Sequence, residues 1–187
     1  MSILYQTLED RDNIDYVELN GPFLGNIRYT WLGKGYYYWD TFINLAHFWG
    51  WTSYKRFKKN YIIAKTELTL PPEKTLNLLD PNDIQKFTTW IDEYELTFPN
   101  KTATIEKVIT HTRTIMGSDF PYVAIKAQFI NCINQNEYQR RISPNGKAYL
   151  DLQPPIQVCI LDKSIIGPNN FKVIYPTNYS DEAAFTF

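Results

Sequence analysis

The sequence predicts an α+β fold in one domain spanning residues 1–187, and three observations carry that prediction. Short apolar runs with strand character stand towards both ends of the chain. Segments with helical periodicity lie in the first two thirds. No Gly/Ser/Pro linker, repeat or low-complexity tract divides the 187 residues. Helices gathered ahead of a run of strands argue against a doubly wound parallel sheet, where the two alternate. A chain of this length buries a sizeable core without disulfides or a structural metal.

Ser2 to Thr7 (SILYQT) reads as a strand, ended by the charged turn EDRDN. Tyr16 to Leu19 reads as another short strand, broken by Asn20-Gly21-Pro22. Gly35 to Trp39 opens on glycine and continues through four aromatics, a composition that suits a strand. Asp40 or Thr41 is placed to cap a helix whose Phe42, Ala46 and Trp49 recur at i, i+4, i+7, with Gly50 as its end. Tyr61 to Leu70 looks like a central strand stopped by Pro71-Pro72.

Asp80-Pro81-Asn82-Asp83 opens a longer helix with Ile84, Phe87, Trp90, Ile91 and Tyr94 on one face. A further helix is expected from Thr104 to about Met116, closed by Gly117, with Ile105, Val108, Ile109, Thr112 and Ile115 inward. After Pro121 the chain turns to strands: YVAIKAQFI, AYLDL, IQVCILD and FKVIYP.

Charge narrows the partners. With 19 basic against 20 acidic residues, no global field favours nucleic acid or an anionic membrane. The one local exception is Tyr54-Lys55-Arg56-Phe57-Lys58-Lys59, whose mixture of bases and aromatics suits single-stranded nucleic acid and equally suits a solvated surface. Cys132 and Cys159 stand far apart and only two histidines are present, so neither a metal site nor a disulfide framework is expected. The N-terminus lacks a signal-peptide pattern and no apolar run approaches a membrane span, so a cytoplasmic, reducing setting without a membrane is expected. Gly33-Lys34-Gly35 lacks the third glycine of a dinucleotide fingerprint, and there is no P-loop or G-x-S-x-G elbow. Any site must therefore be built around the aromatic stretch.

Gly33-Lys34-Gly35-Tyr36-Tyr37-Tyr38-Trp39-Asp40, followed by Asn44-Leu45-Ala46-His47-Phe48, resembles the second motif of the ADP-ribosyltransferase superfamily, in its poly-ADP-ribose-polymerase-like branch. Leu4-Tyr5-Gln6-Thr7 is the best match to that family's first motif, with Gln6 in the His/Arg place. Gln157 to Asp162, then Ile165-Ile166 and Phe171 to Tyr175, is similar in shape to the third, with Gln157 where the family has its catalytic glutamate.

The resemblance implies a split β-sandwich of two small sheets with flanking helices, in a small, divergent member of bacterial or phage-related kind. It implies NAD as substrate, no metal, and transfer of ADP-ribose to a protein or nucleic-acid acceptor with release of nicotinamide. A toxin or phage-defence role follows by analogy, with an antitoxin or inhibitor protein as a further expected partner.

By the same register Tyr37 stacks on nicotinamide, Ala46 lines the pocket, Asn44 stands where the family often has Ser, and Gly35 admits the carboxamide. Gln6 or Thr7, with Tyr5, holds the ribose or adenosine side; Tyr36 flanks Tyr37; Gln157 holds the nicotinamide ribose. Gln157, Tyr37 and Gln6 are thus the expected catalytic set. A glutamine at the glutamate position keeps a hydrogen bond and loses the charge that stabilises the ribosyl cation, so the resemblance also admits a catalytically weak or inactive NAD-binding or protein-interaction module. Glu137 is a substitute carboxylate in sequence terms, and Arg140-Arg141 fall where the family places its target-recognition loop.

Overall fold

The computed structural model describes residues 1–26, 30–129, 141–142 and 150–177. Among them four α-helices and nine strands form an α+β domain. Strand β1 (Ser2–Glu9) is followed by α1 (Ile14–Asn20), β2 (Tyr36–Asp40), α2 (Ile43–Ser53), β3 (Tyr61–Leu68) and the short β4 (Thr75–Asn77). Then come α3 (Pro81–Thr97), α4 (Ile105–Met116), β5 (Ala124–Gln128), β6 (Arg141–Ile142), β7 (Leu150–Asp151), β8 (Ile156–Ile160) and β9 (Lys172–Tyr175). None of the described helices is long and apolar enough to cross a membrane.

Two segments depart from the sequence expectation in informative ways. Tyr16–Leu19 lies inside helix α1 rather than a strand. Its Val17 is buried, and Ile14, three residues earlier, packs in the same cluster. The Glu18 carboxylate accepts from the backbone N–H of Val173 at 2.8 Å, so tertiary partners override a four-residue β preference. Helix α2 is capped at Phe42, not at Asp40 or Thr41, and it runs through Gly50 to Ser53. Asp40 does not cap because its carboxylate pairs with Lys126 of β5 at 2.5 Å. Gly50 is there for Tyr61: a Cβ at that position would come within 2.4 Å of the tyrosine ring.

The two long helices form where their caps and periodicity place them. The side chains of Asp80 and Thr104 accept from backbone N–H groups in the first turns of α3 and α4. Phe87, Tyr94, Val108, Ile109 and Thr112 are buried, whereas Ile84 and Ile115, at the outer ends of the two helices, face solvent.

Seven strands share one mixed sheet in the order β4-β5-β8-β2-β1-β3-β9, with β4 and β5 parallel and the other neighbours antiparallel; β6 and β7 make a separate ribbon. The sheet is narrow in the middle. β1 pairs with β3 along its whole length, from Ser2–Leu68 to Glu9–Tyr61, yet it pairs with β2 only through Leu4–Asp40 and Tyr5–Trp39. Beyond that point the two strands separate, and the Gln6 side chain bridges them by donating from Nε2 to the Tyr37 carbonyl at 3.2 Å. The strands thus form one sheet with a constriction between β1 and β2, instead of two separate small sheets.

Both faces are covered. Leu4, Tyr38, Ile62, Ala64, Val158 and Ile160 meet α1 and the segment before β9 on one face. The other face carries two apolar clusters side by side. One gathers Tyr5, Trp39 and Ile63 under α2. The second gathers Ile125, Ala127 and Cys159 under α3 and α4.

Candidate functional site at the seam between the helices

The boundary between those two clusters runs along β2 and β8, with Trp39 in the first and Tyr37 and Cys159 in the second, one strand away from the constriction. Directly opposed residues of an antiparallel sheet share a face. Tyr5, Trp39, Gln157 and Ala127 are opposed in turn across β1, β2, β8 and β5, so they form one row on the helical face. Tyr37, Cys159 and Ile125 form the next row. Gln157 is the polar member of its row, and it is 6% exposed.

The amide of Gln157 has one described partner. The Trp31 indole N–H donates to Oε1 at 2.7 Å, across a sequence separation of 126 residues. Trp31 also lies 5.9 Å from the Phe129 ring, which meets Trp39 edge-on at 5.7 Å, so a run of three rings links the donor on Gln157 to Trp39, its neighbour on β2. Among the described residues nothing accepts a hydrogen bond from its Nε2. The buried side-chain atom without a partner among the described residues is His111 Nε2, not Gln157 Nε2, so the two N–H donors of Gln157 are open to water or to a ligand.

Tyr37 stands diagonally across β2 and β8 from Gln157. Its hydroxyl accepts from the Leu32 backbone N–H at 2.8 Å and donates to the Gly33 carbonyl at 2.8 Å. Burial pushes the phenol far above its ordinary range, so it remains a neutral donor. Gly25 lies against the ring: a Cβ there would come within 2.7 Å of Tyr37 Cδ2. The loop between α1 and β2 thus covers the ring that the resemblance assigns to nicotinamide. Gly35 has a structural reason to be glycine, because a Cβ would come within 2.5 Å of Cys159 Sγ and 2.6 Å of the Ile160 carbonyl oxygen. What its missing side chain admits is strand β8.

Gln6 does not join this group. Alternation along β1 and its pairing with Ala64 place it on the opposite face. There Oε1 accepts from the Phe23 N–H at 2.9 Å, and Nε2 donates to the Phe23 carbonyl at 2.8 Å as well as to Tyr37 O. Tyr36 is on that face too, packed against its apolar cluster with the Lys163 ammonium 5.8 Å from the ring centre.

The remaining expected residues do lie on the helical face. Tyr5 is buried under α2. Thr7 donates its hydroxyl to the Ala46 carbonyl at 2.8 Å, and Ala46 is fully buried where α2 meets β1. Asn44, in the first turn of α2, donates to Gln153 Oε1 at 2.7 Å and ties the helix to the segment before β8. Glu137 and Arg140 lie outside the described residues. The structure thus gathers Tyr5, Thr7, Tyr37, Asn44, Ala46 and Gln157 on one face and sends Gln6 and Tyr36 to the other. Trp31, which donates to Gln157, and Phe129, which packs between Trp31 and Trp39, carry no signal in the spacing of the sequence; only the fold brings them together.

Comparison with known proteins adds no relative: no family model, curated protein or solved structure matches the chain.

Proposed function

We propose that the chain is an NAD-dependent ADP-ribosyltransferase of the split-sheet type, binding the nicotinamide end of NAD at the seam and transferring ADP-ribose slowly to a macromolecular acceptor. The observation that carries this reading is Gln157: a largely buried residue whose Nε2 makes no hydrogen bond among the described residues, one strand away from Tyr37 and beside Trp31 and Trp39. A ribose hydroxyl is an acceptor of the right kind for those donors, and a flat, uncharged-to-cationic nicotinamide ring suits an aromatic surround. Entry of the ring beside Tyr37 displaces Gly25 and Trp31 from their present contacts. The constriction between β1 and β2, where the ladder is reduced to Leu4–Asp40 and Tyr5–Trp39, is the feature of this sheet that supports a split architecture.

In transfer, the glycosidic bond between nicotinamide and ribose breaks, nicotinamide leaves with the bonding pair, and the acceptor nucleophile closes on the ribosyl carbon. Gln157 orients the ribose and supplies no negative charge to the developing cation. Preorganised electrostatic groups of that kind contribute about 3–4 kcal/mol each, so a neutral glutamine leaves the reaction slower by two to three orders of magnitude. That neutrality also favours a second reading, in which the same seam binds NAD or ADP-ribose and performs no chemistry.

One experiment separates the readings. Millimolar NAD should raise the thermal midpoint of the wild type, and Gln157→Glu, which retains an acceptor for the Trp31 N–H, should release nicotinamide roughly a hundredfold faster than the wild type. A thermal shift without nicotinamide release from either protein selects the binding module. Absence of both rejects the seam as an NAD site.

A further inference from the structure

The corner at the C-terminal end of α2 concentrates positive charge and exposed rings in a protein that is nearly neutral overall. Lys55 to Asn60 are exposed without interruption, and four of these six residues are cations. Phe57 among them is 61% exposed, and Trp51, in the last turn of α2, is 55% exposed. Part of the charge has a local duty. Lys59 pairs with Glu9 at 2.9 Å, Lys55 donates to Asn60 Oδ1 at 3.2 Å, and cations suit a helix C-terminus in general. The neighbouring acids are engaged as well: Glu9 also pairs with Arg11, and the Asp10 carboxylate accepts from the Asp12 N–H.

Arg56 and Lys58 are different. Neither has a carboxylate partner among the described residues. The Arg56 guanidinium stands 5.0 Å from the centre of the Phe57 ring, so a cation and a ring face are presented together. Lys58 adopts φ +61 and ψ 26, a left-handed conformation that disfavours any residue with a side chain and that glycine adopts freely. A lysine thus stands, exposed, at a position where glycine is the more stable choice.

We infer that this corner binds single-stranded nucleic acid, with Arg56 and Lys58 on backbone phosphates and Phe57 and Trp51 offering faces to bases. Interleaved cations and exposed rings fit a flexible strand whose phosphates and bases are both accessible. The inference is independent of the NAD reading, since it concerns a different surface and a binding event that needs no cofactor.

The test is fluorescence anisotropy of labelled 12-mers of uridylate and thymidylate with the full chain at 50 mM and 200 mM salt. Binding should weaken with salt, the logarithmic slope being about −0.7 for each phosphate neutralised. Arg56→Glu combined with Lys58→Glu should lower affinity by at least about tenfold and flatten that slope. Phe57→Ala should lower affinity about fivefold or more with the slope unchanged, because it removes stacking and no charge. Lys58→Gly isolates charge from folding: it should weaken binding while the thermal midpoint holds or rises. No binding at 50 mM salt overturns the inference, as does binding that all of these variants leave unchanged. Displacement of the oligonucleotides by phosphatidylserine vesicles at equal anionic charge also overturns it, in favour of a membrane surface.

Discussion

Gln6 and Gln157 make a natural pair. Both are buried, at 5% and 6% exposure, Gln6 on β1 at the constriction and Gln157 on β8, the other neighbour of β2. Their surroundings differ completely. Gln6 is fully engaged by main chain, taking the N–H and carbonyl of Phe23 and the carbonyl of Tyr37. It replaces the hydrogen bonds that β1 and β2 stop making to each other. Gln157 keeps two donors without a described partner in a row of aromatics on the other face. Two identical side chains at corresponding motif positions thus have different work: one is a bracket for the backbone, and the other is a candidate ligand contact. A buried amide that satisfies main-chain groups is difficult to replace; one that waits for a ligand tolerates replacement and shows its loss in binding.

Gln6→Ala should therefore produce the largest effect on stability. It strands three main-chain polar groups, and each such group costs about 1–3 kcal/mol when buried without a partner, so a loss of at least about 3 kcal/mol is expected in urea unfolding. Gln157→Ala releases only the Trp31 N–H and should cost about 1–2 kcal/mol, with a change in tryptophan emission and loss of the NAD-induced thermal shift. Equal destabilisation by the two substitutions would erase the distinction drawn between them.

Tyr37→Phe sharpens the same contrast at intermediate size. It retains the ring while freeing the Leu32 N–H and the Gly33 carbonyl, and it should cost about 2 kcal/mol in urea unfolding. If the ring is the NAD contact, the NAD-induced shift should persist in this variant and vanish in Tyr37→Ala.

The smallest expected effect concerns alkaline pH and the row shared by Tyr37 and Cys159. Burial pushes the Cys159 thiol up to about 12 from an ordinary value near 9. A folded-state pKa above the unfolded value contributes stability that is complete below pH 9 and lost as pH rises from 9 towards 12. Tyr37 and Tyr38 are raised by burial as well and act in the same direction at higher pH. Cys159→Ala should flatten the decline in urea midpoint between pH 8.5 and 10.5 relative to wild type; an unchanged slope would place the titration elsewhere.

Much of the scaffold is legible in the sequence alone. Asp80 and Thr104 announce their helices because capping is a local transaction between a side chain and the next turn. Strand positions around Tyr36–Asp40 and Ile156–Ile160 follow from runs of aromatic and β-branched residues. Helix α1 was not legible, because Ile14 and Val17 become a buried face only when Phe171 and Val173 arrive from the far end of the chain. Gly50 and Gly35 read as a helix stop and a ligand approach; what they admit is the Tyr61 ring and strand β8.

For the candidate site the division is sharper. The sequence by itself determined that Tyr37 and Gln157 would sit on strands of an α+β domain, since composition and alternation act over a few residues; that β2 and not Tyr61–Leu68 is the middle strand came only from the pairing. Only the tertiary structure decided which way each glutamine faces. A shift of one residue along a strand exchanges the two faces of a sheet, and that register is set by pairing with distant strands. It also decided that Trp31 would donate to Gln157 from 126 residues away. Hydrogen bonds and packing between distant segments exist only after the chain has closed, so no local pattern in the sequence encodes them.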